Sequence, residues 1–161
     1  MRILTLAVGF ARGTHEGALC EHFRARAGVM GNRIGFSSVG VQEIAVSKLR
    51  EPRSRVADEG ERLAAKIPER THVILLDAKG KGMTSDAFAE MLGAMRDAGA
   101  RDLAFLIGGP DGLDPRPQIK AGRSLAFGPQ TWPHLLVRAM LAEQIYRAMT
   151  ILAGHPYHRG S

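Results

Sequence analysis

Few side chains in this chain are placed to do chemistry, and most of them crowd towards its end. His134 and Arg138, four apart, share one face of any helix that contains them. Glu143 and Arg147 repeat the i, i+4 spacing, with the acid on the favourable N-terminal side. The chain then closes on His155-Pro156-Tyr157-His158-Arg159, an odd set for a fraying terminus. Tyrosine and histidine rings stack on bases, and arginine meets phosphate. A histidine or a cation so placed could take a proton or steady a developing anion. The plainer reading of 134–147 is the solvated face of a helix.

Other chemistries have weaker anchors. His15, Cys20, His22, His155 and His158 do not fall at metal-ligand spacing, so no metal is expected. With Cys20 alone, and no Gly-x-Ser-x-Gly elbow, neither a disulfide framework nor a nucleophilic enzyme is indicated. Gly80-Lys81-Gly82-Met83-Thr84-Ser85 invites a dinucleotide-binding reading. It lacks the third small residue, and no acid ends the next strand, so a plain turn fits better. Three glycine-bearing loops remain, after Leu76-Asp77, at Gly108-Gly109-Pro110 and at Gly128-Pro129. Each follows a buried strand, where open parallel sheets bind ligands and where glycine lets main-chain groups come close. Such a pocket suits an adenosine-like group better than a polyphosphate.

The elements that would position these residues alternate strand and helix, the pattern of an α/β sheet. Strands are expected at 3–8, 36–44, 71–77, 103–107 and 124–127. A helix follows the first strand with Leu19 and Phe23 on its apolar face. A second, capped by Ser54, carries Val56, Leu63 and Ile67. A third, capped by Ser85, carries Phe88, Met91, Leu92 and Met95 at i, i+3, i+4 and i+7. Pro133 opens a long last helix reaching about Ala153, burying Leu136, Met140 and Met149. Residues 47–53 read as an exposed loop. A chain of 161 residues, 45% hydrophobic and 24% charged, folds as one domain without staples. No apolar run reaches the ~20 residues of a membrane span, and a cytoplasmic location is expected. The net charge of +6 and pI near 10.1 favour a polyanionic partner.

Taken in order, Ile107-Gly108-Gly109-Pro110-Asp111-Gly112-Leu113, Pro133-His134-x-x-x-Arg138, Glu143-Gln144-x-Tyr146-Arg147-Ala148 and His155-Pro156-Tyr157-His158 resemble the SPOUT-class methyltransferases known as the ribosomal RNA large subunit methyltransferase H family. The likeness runs over essentially the whole chain. It implies a single SPOUT domain over 1–161: a mostly parallel sheet with helices on both faces, a C-terminal trefoil knot over about 71–154, and a tail at 155–161. It also implies a homodimer and S-adenosyl-L-methionine as methyl donor. The acceptor would be N3 of a pseudouridine in the helix 69 loop of 23S rRNA, in assembled ribosomes. By motif, the donor site falls at Leu76, Gly108, Phe127, Gly128, Pro129, Gln130, Thr131 and Trp132. Arg138, His155, Tyr157 and His158 are the candidates for catalysis, and His134, Arg147 and Arg159 for holding RNA. The family tail approaches the partner's cofactor, which implies a site shared across the dimer. Two positions depart from the pattern: Phe10, where a lysine is common, and Gly128-Pro129-Gln130, where a serine-containing stretch is common. Two other readings stand beside this one. The charge alone would suit a non-catalytic RNA- or ribosome-binding protein, and Gly80-x-Gly82 a nicotinamide-dependent enzyme.

Overall fold

A computed structural model describes residues 1–113 and 121–158. Five strands form one sheet in the order β2-β1-β4-β3-β5, every neighbouring pair parallel. The strands are β1 (Arg2–Val8), β2 (Ser38–Ile44), β3 (His72–Lys81), β4 (Asp102–Ile107) and β5 (Ala121–Leu125). The helices are α1 (His15–Asn32), α2 (Pro52–Ala64), α3 (Ser85–Asp97) and α4 (His134–Leu152).

Side-chain alternation along the strands divides the core in two. Ile3, Ala7, Leu103, Phe105 and Ile107 face a large apolar layer that includes Leu92 of α3 and Leu141, Ile145 and Met149 of α4. Leu6, Val8, Ala104 and Leu106 face the other way, onto Leu63 of α2. Helices therefore cover both faces, as the α/β reading requires. Burial on both faces is also why β4 reads as an unbroken apolar run.

The element boundaries hold several corrections. Helix α2 starts at Pro52, so Ser54 lies inside it and caps nothing; Glu51 is the cap residue and makes no side-chain bond. Helix α3 is capped by Thr84, whose side chain accepts from Ala87 N–H at 3.1 Å, and Ser85 is its first residue. Residues 79–81 are not a turn but the continuation of β3, because Lys81 still pairs with Leu125 and its carbonyl accepts from Ala126 N–H at 3.1 Å. A Cβ on Gly80 would lie 2.7 Å from the Leu125 carbonyl carbon, so this glycine permits a main-chain crossing that no side chain would allow. Phe36 is core but precedes β2, while Ala126 and Phe127 follow β5.

Candidate functional site

Sheet register sets the site. Ala7 and Leu76 both pair with Ile107, and Leu76 also pairs with Leu125, so β1, β4, β3 and β5 reach one level side by side. The segments that follow Ile107 and Leu125 thus leave the sheet at the same carboxyl end, beside the irregular stretch of β3 between Leu76 and Lys81.

The loop after β4 is closed on itself. Gly112 N–H donates to the Gly109 carbonyl at 3.0 Å, and a Cβ on Gly108 would fall 2.3 Å from the Gly112 carbonyl oxygen. Glycine is therefore required at 108 for the turn to exist. From α2, Arg55 grips Asp111 through two bonds of 2.7 and 3.1 Å. That pair holds the Asp111 carboxyl below the ordinary range and the Arg55 guanidinium above its own. In the loop after β5, Gly128 adopts a φ of +97°, and Trp132 Nε1 donates to the Phe127 carbonyl at 3.0 Å. Phe127 and Gly128 line a cleft of about 530 Å³ with Met83, Phe88, Met140 and Gln144. Leu125 lines it too and is the strand partner of Leu76. Pro129, Gln130, Thr131 and Trp132, which follow in the chain, are exposed.

At its start, α4 holds His134 half-buried and Arg138 only 1% exposed. Arg138 Nη1 donates to the Gly9 carbonyl at 2.9 Å and to Glu43 Oε1 at 2.6 Å, and Nη2 donates to the Val8 carbonyl. This residue is no part of a solvated face. It fastens α4 to the ends of β1 and β2. His134 lies against Gly9, where a Cβ would stand 3.4 Å from its Nε2. Burial first, and Arg138 second, push the His134 imidazole below its usual pKa, against a smaller pull from Glu59.

Further along α4, Glu143 gathers the tail. Its carboxylate accepts from Arg147 Nε at 2.9 Å, from Gln144 Nε2 at 2.7 Å and from the Tyr157 hydroxyl at 3.1 Å. Tyr157 stacks edge-on against Tyr146 at 4.7 Å, under the Arg147 guanidinium at 5.0 Å. Burial first, then the Glu143 charge, raises the Tyr157 pKa, so its hydroxyl keeps its proton. His158 Nδ1 lies 3.3 Å from Arg147 and its Nε2 3.4 Å from Asp86. His155 is exposed, and Arg159 lies outside the described residues. This network adjoins the cleft, because Gln144 also accepts from Ser85 Oγ at 2.8 Å and both line it.

The nominated residues therefore separate. Tyr157, His158 and Arg147 join one cluster beside the cleft, while His134 and Arg138 belong to the junction of β1, β2 and α4. Two participants escaped the sequence reading, Glu43 and Glu59, and so did the bond between Ser85 and Gln144. Glu59, 2% exposed, accepts from Ser47 N–H at 2.8 Å, and its other oxygen lies 3.1 Å from where a Gly109 Cβ would be. An acid among the apolar positions of α2 was the available signal. For Glu43, whose partner is far away in the chain, there was none.

A parallel α/β sheet whose glycine turns and apolar cleft gather at the carboxyl ends of the strands defines a small-molecule-binding enzyme fold. The model of the family described as predicted SPOUT methyltransferase matches residues 1–158, and the chain belongs to that family of methyltransferases. Curated relatives named ribosomal RNA large subunit methyltransferase H include one from Rhodopseudomonas palustris, 48% identical over 159 residues and covering 99% of each chain. One from Nitrobacter winogradskyi is 46% identical over 160 residues, covering 99% of this chain and all of the relative. Another, from Nitrobacter hamburgensis, is 45% identical over 160 residues with the same coverage.

Proposed function

We propose that this methyltransferase transfers a methyl group from S-adenosyl-L-methionine to N3 of a pseudouridine in the helix 69 loop of 23S rRNA, in assembled cytoplasmic ribosomes. We further propose that it works as a homodimer with a site shared between the copies. The names of relatives that match 99% of the chain support the rRNA substrate. The observation that supports the donor site is that Leu76, Ile107 and Leu125 share one register level, so the Gly108 turn and the 127–132 segment start from the same carboxyl end of the sheet.

The residues present fit a nucleoside donor. Gly108 allows the tight turn that any side chain would block, and the cleft of about 530 Å³ is of small-molecule size. Its walls are Phe88, Phe127 and two methionines, with few charges. When bound, the donor supplies an electrophilic methyl on a sulfonium sulfur. Leu76, Gly108 and the 127–132 loop would hold it in line with the acceptor nitrogen, which is the protein's main contribution to such a displacement. The acceptor N3 must lose a proton as the methyl arrives. Tyr157, still protonated, and His158 would hold the base, and the Arg147 cation beside them would stabilise negative charge developing on it. Arg138 reaches this chemistry only through the backbone of Val8 and Gly9, which makes it a positioning residue.

The homodimer draws support from an apolar groove of about 240 Å³ between α1 and α4, lined by Leu19, Phe23, Leu136 and Met140. Phe127 and Glu143 border the same groove, so a second copy seated there would meet both the donor loop and the tail's anchor. The trefoil knot belongs to the same reading. Its support is that β3 runs between two strands later in the chain, and that residues 79–81 cross the main chain of β5.

The test is a thermal-shift series with S-adenosyl-homocysteine, NAD and no ligand, followed by mapping of methylated positions in ribosomal RNA. The expected result is a rise in melting temperature with S-adenosyl-homocysteine only, lost in Gly108→Arg, and modification at the N3 position named. A response to NAD, or RNA binding with no methylation, would replace this proposal by one of the other two readings.

A further inference from the structure

The loop joining β2 to α2 carries Lys48 and Arg50, and the first turn of α2 adds Arg53, all exposed, against one acid, Glu51. Across from it the loop after β1 presents Arg12 and an exposed phenylalanine, Phe10, with 63% of its surface in solvent. Leu49, at 49%, is exposed as well. None of these four cations takes part in an ion pair within the described residues, although most other arginines do. Unpaired cations around an exposed aromatic ring form the surface that a nucleic acid backbone and an unstacked base would fit.

This apron is held to the donor edge by α2. Arg55, while gripping Asp111 of the glycine turn, also donates to the carbonyls of Leu49 at 3.1 Å and Arg50 at 2.6 Å. Glu59 fixes the Ser47 N–H on one side and abuts Gly109 on the other. A single guanidinium thus spans the basic loop and the turn that follows β4, tying the main chain of Leu49 and Arg50 to Asp111. The main chain of 47–50 is fixed in place, which leaves its cationic side chains free at little ordering cost to the fold.

We infer that the loop 45–51 and the first turn of α2, with Phe10 and Arg12, are the surface on which the RNA substrate docks: Lys48, Arg50, Arg53 and Arg12 contact phosphates, and Phe10 stacks on a base. This rests on the rRNA reading above and extends it from the acceptor base to the surrounding strand. Phosphate contacts orient the nucleic acid without reading sequence, so this surface sets affinity and register while the cleft and tail select the base.

The experiment compares wild type, Lys48→Glu/Arg50→Glu/Arg53→Glu and a control of equal charge, Arg33→Glu/Lys66→Glu/Arg101→Glu, whose exposed residues lie in the segments that lead into the amino ends of β2, β3 and β4. Binding to ribosomes is measured by co-sedimentation across a salt series, and methyl transfer in parallel. The expected result for the loop variant is a rise of at least about tenfold in the KM for ribosomes, with the log–log salt slope of binding reduced by roughly two to three. Its thermal shift with S-adenosyl-homocysteine should match wild type, and the control should bind nearly as wild type does. Phe10→Ala should raise the ribosome KM severalfold without changing the salt slope. Equal losses in the loop and control variants, or no change in either, would overturn the docking surface while leaving the methyl-transfer reading intact. Wild type that binds ribosomes but transfers no methyl would instead overturn that reading, and the sedimentation data would still judge the surface.

Discussion

Arg138 and Arg147 stand on the same helix, and each pairs with a glutamate, yet they do different work. Arg147 takes its acid from its own helix, Glu143, and keeps about a quarter of its side chain in solvent. It lies over the Tyr157 ring and beside His158, so its charge faces a place a substrate could enter. Arg138 has no such opening. Its acid, Glu43, comes from β2, and its remaining bonds go to main-chain carbonyls ending β1. A cation enclosed in this way is part of the scaffold, since moving it would leave buried acceptors unpaired. The comparison separates holding the donor edge together from acting on a substrate beside it.

Removing residues 155–161 breaks the comparison at its functional end and should have the largest effect. Methyl transfer to ribosomes is expected to fall by at least about a hundredfold, the scale of losing groups that hold and assist a proton-losing base. The shift with S-adenosyl-homocysteine should survive. Full turnover by the shortened protein would remove the tail from the site. Arg138→Met tests the other end. It strands the Val8 and Gly9 carbonyls and leaves Glu43 with the Ala11 N–H, a loss of up to about 3–5 kcal/mol on the scale of a broken buried pair. Chemical denaturation should show a lower midpoint, with donor affinity weakened and the tail network's contacts intact. A variant as stable as wild type would show that the buried cation is dispensable. Tyr157→Phe, which deletes one hydroxyl bond to Glu143, should cost about 0.5–1.5 kcal/mol of stability and lower kcat more than it changes the donor's KM. An equal loss in both parameters would make Tyr157 a packing residue only.

The contrast also marks what the sequence made legible. Glu143 and Arg147 are a local pair, so helical spacing alone placed them together, and apolar runs located β3 and β4 because both faces of those strands are buried. Two of the three glycine loops, at 108–112 and at 128, do fall where the chain turns after β4 and β5, because a tight turn and a positive φ each demand glycine. What stayed hidden depended on partners distant in the chain. Arg138 looked like a surface residue until Glu43 was brought against it from β2. Lys79-Gly80-Lys81 looked like a turn because nothing in its own residues records that β5 lies alongside. The caps were misplaced by a residue or more because Thr84 and Ser85 are equally good cap residues, and because Pro52 can open a helix with no side-chain cap at all.

The smallest effect probes the border of the buried end. Desolvation and the Arg138 charge depress the His134 pKa, so on acidification the unfolded chain protonates before the folded one does. The unfolded state then binds more protons, and stability falls with pH below the unfolded value near 6.5, continuing until the folded imidazole also titrates. Above about 6.5 the imidazole is neutral in both states and contributes no slope. His134 retains partial solvent access, so the change should be modest, seen as a melting temperature that declines between about pH 7 and pH 5. Carboxylates contribute to the same decline, and His134→Gln isolates the imidazole's share by flattening the curve in its upper part. In Arg138→Met the repelling cation is gone while the burial remains, so the same portion of the curve should flatten only in part. If His134→Gln leaves the slope unchanged, the imidazole is not held neutral by its surroundings, and the border between the buried junction and solvent lies deeper than His134.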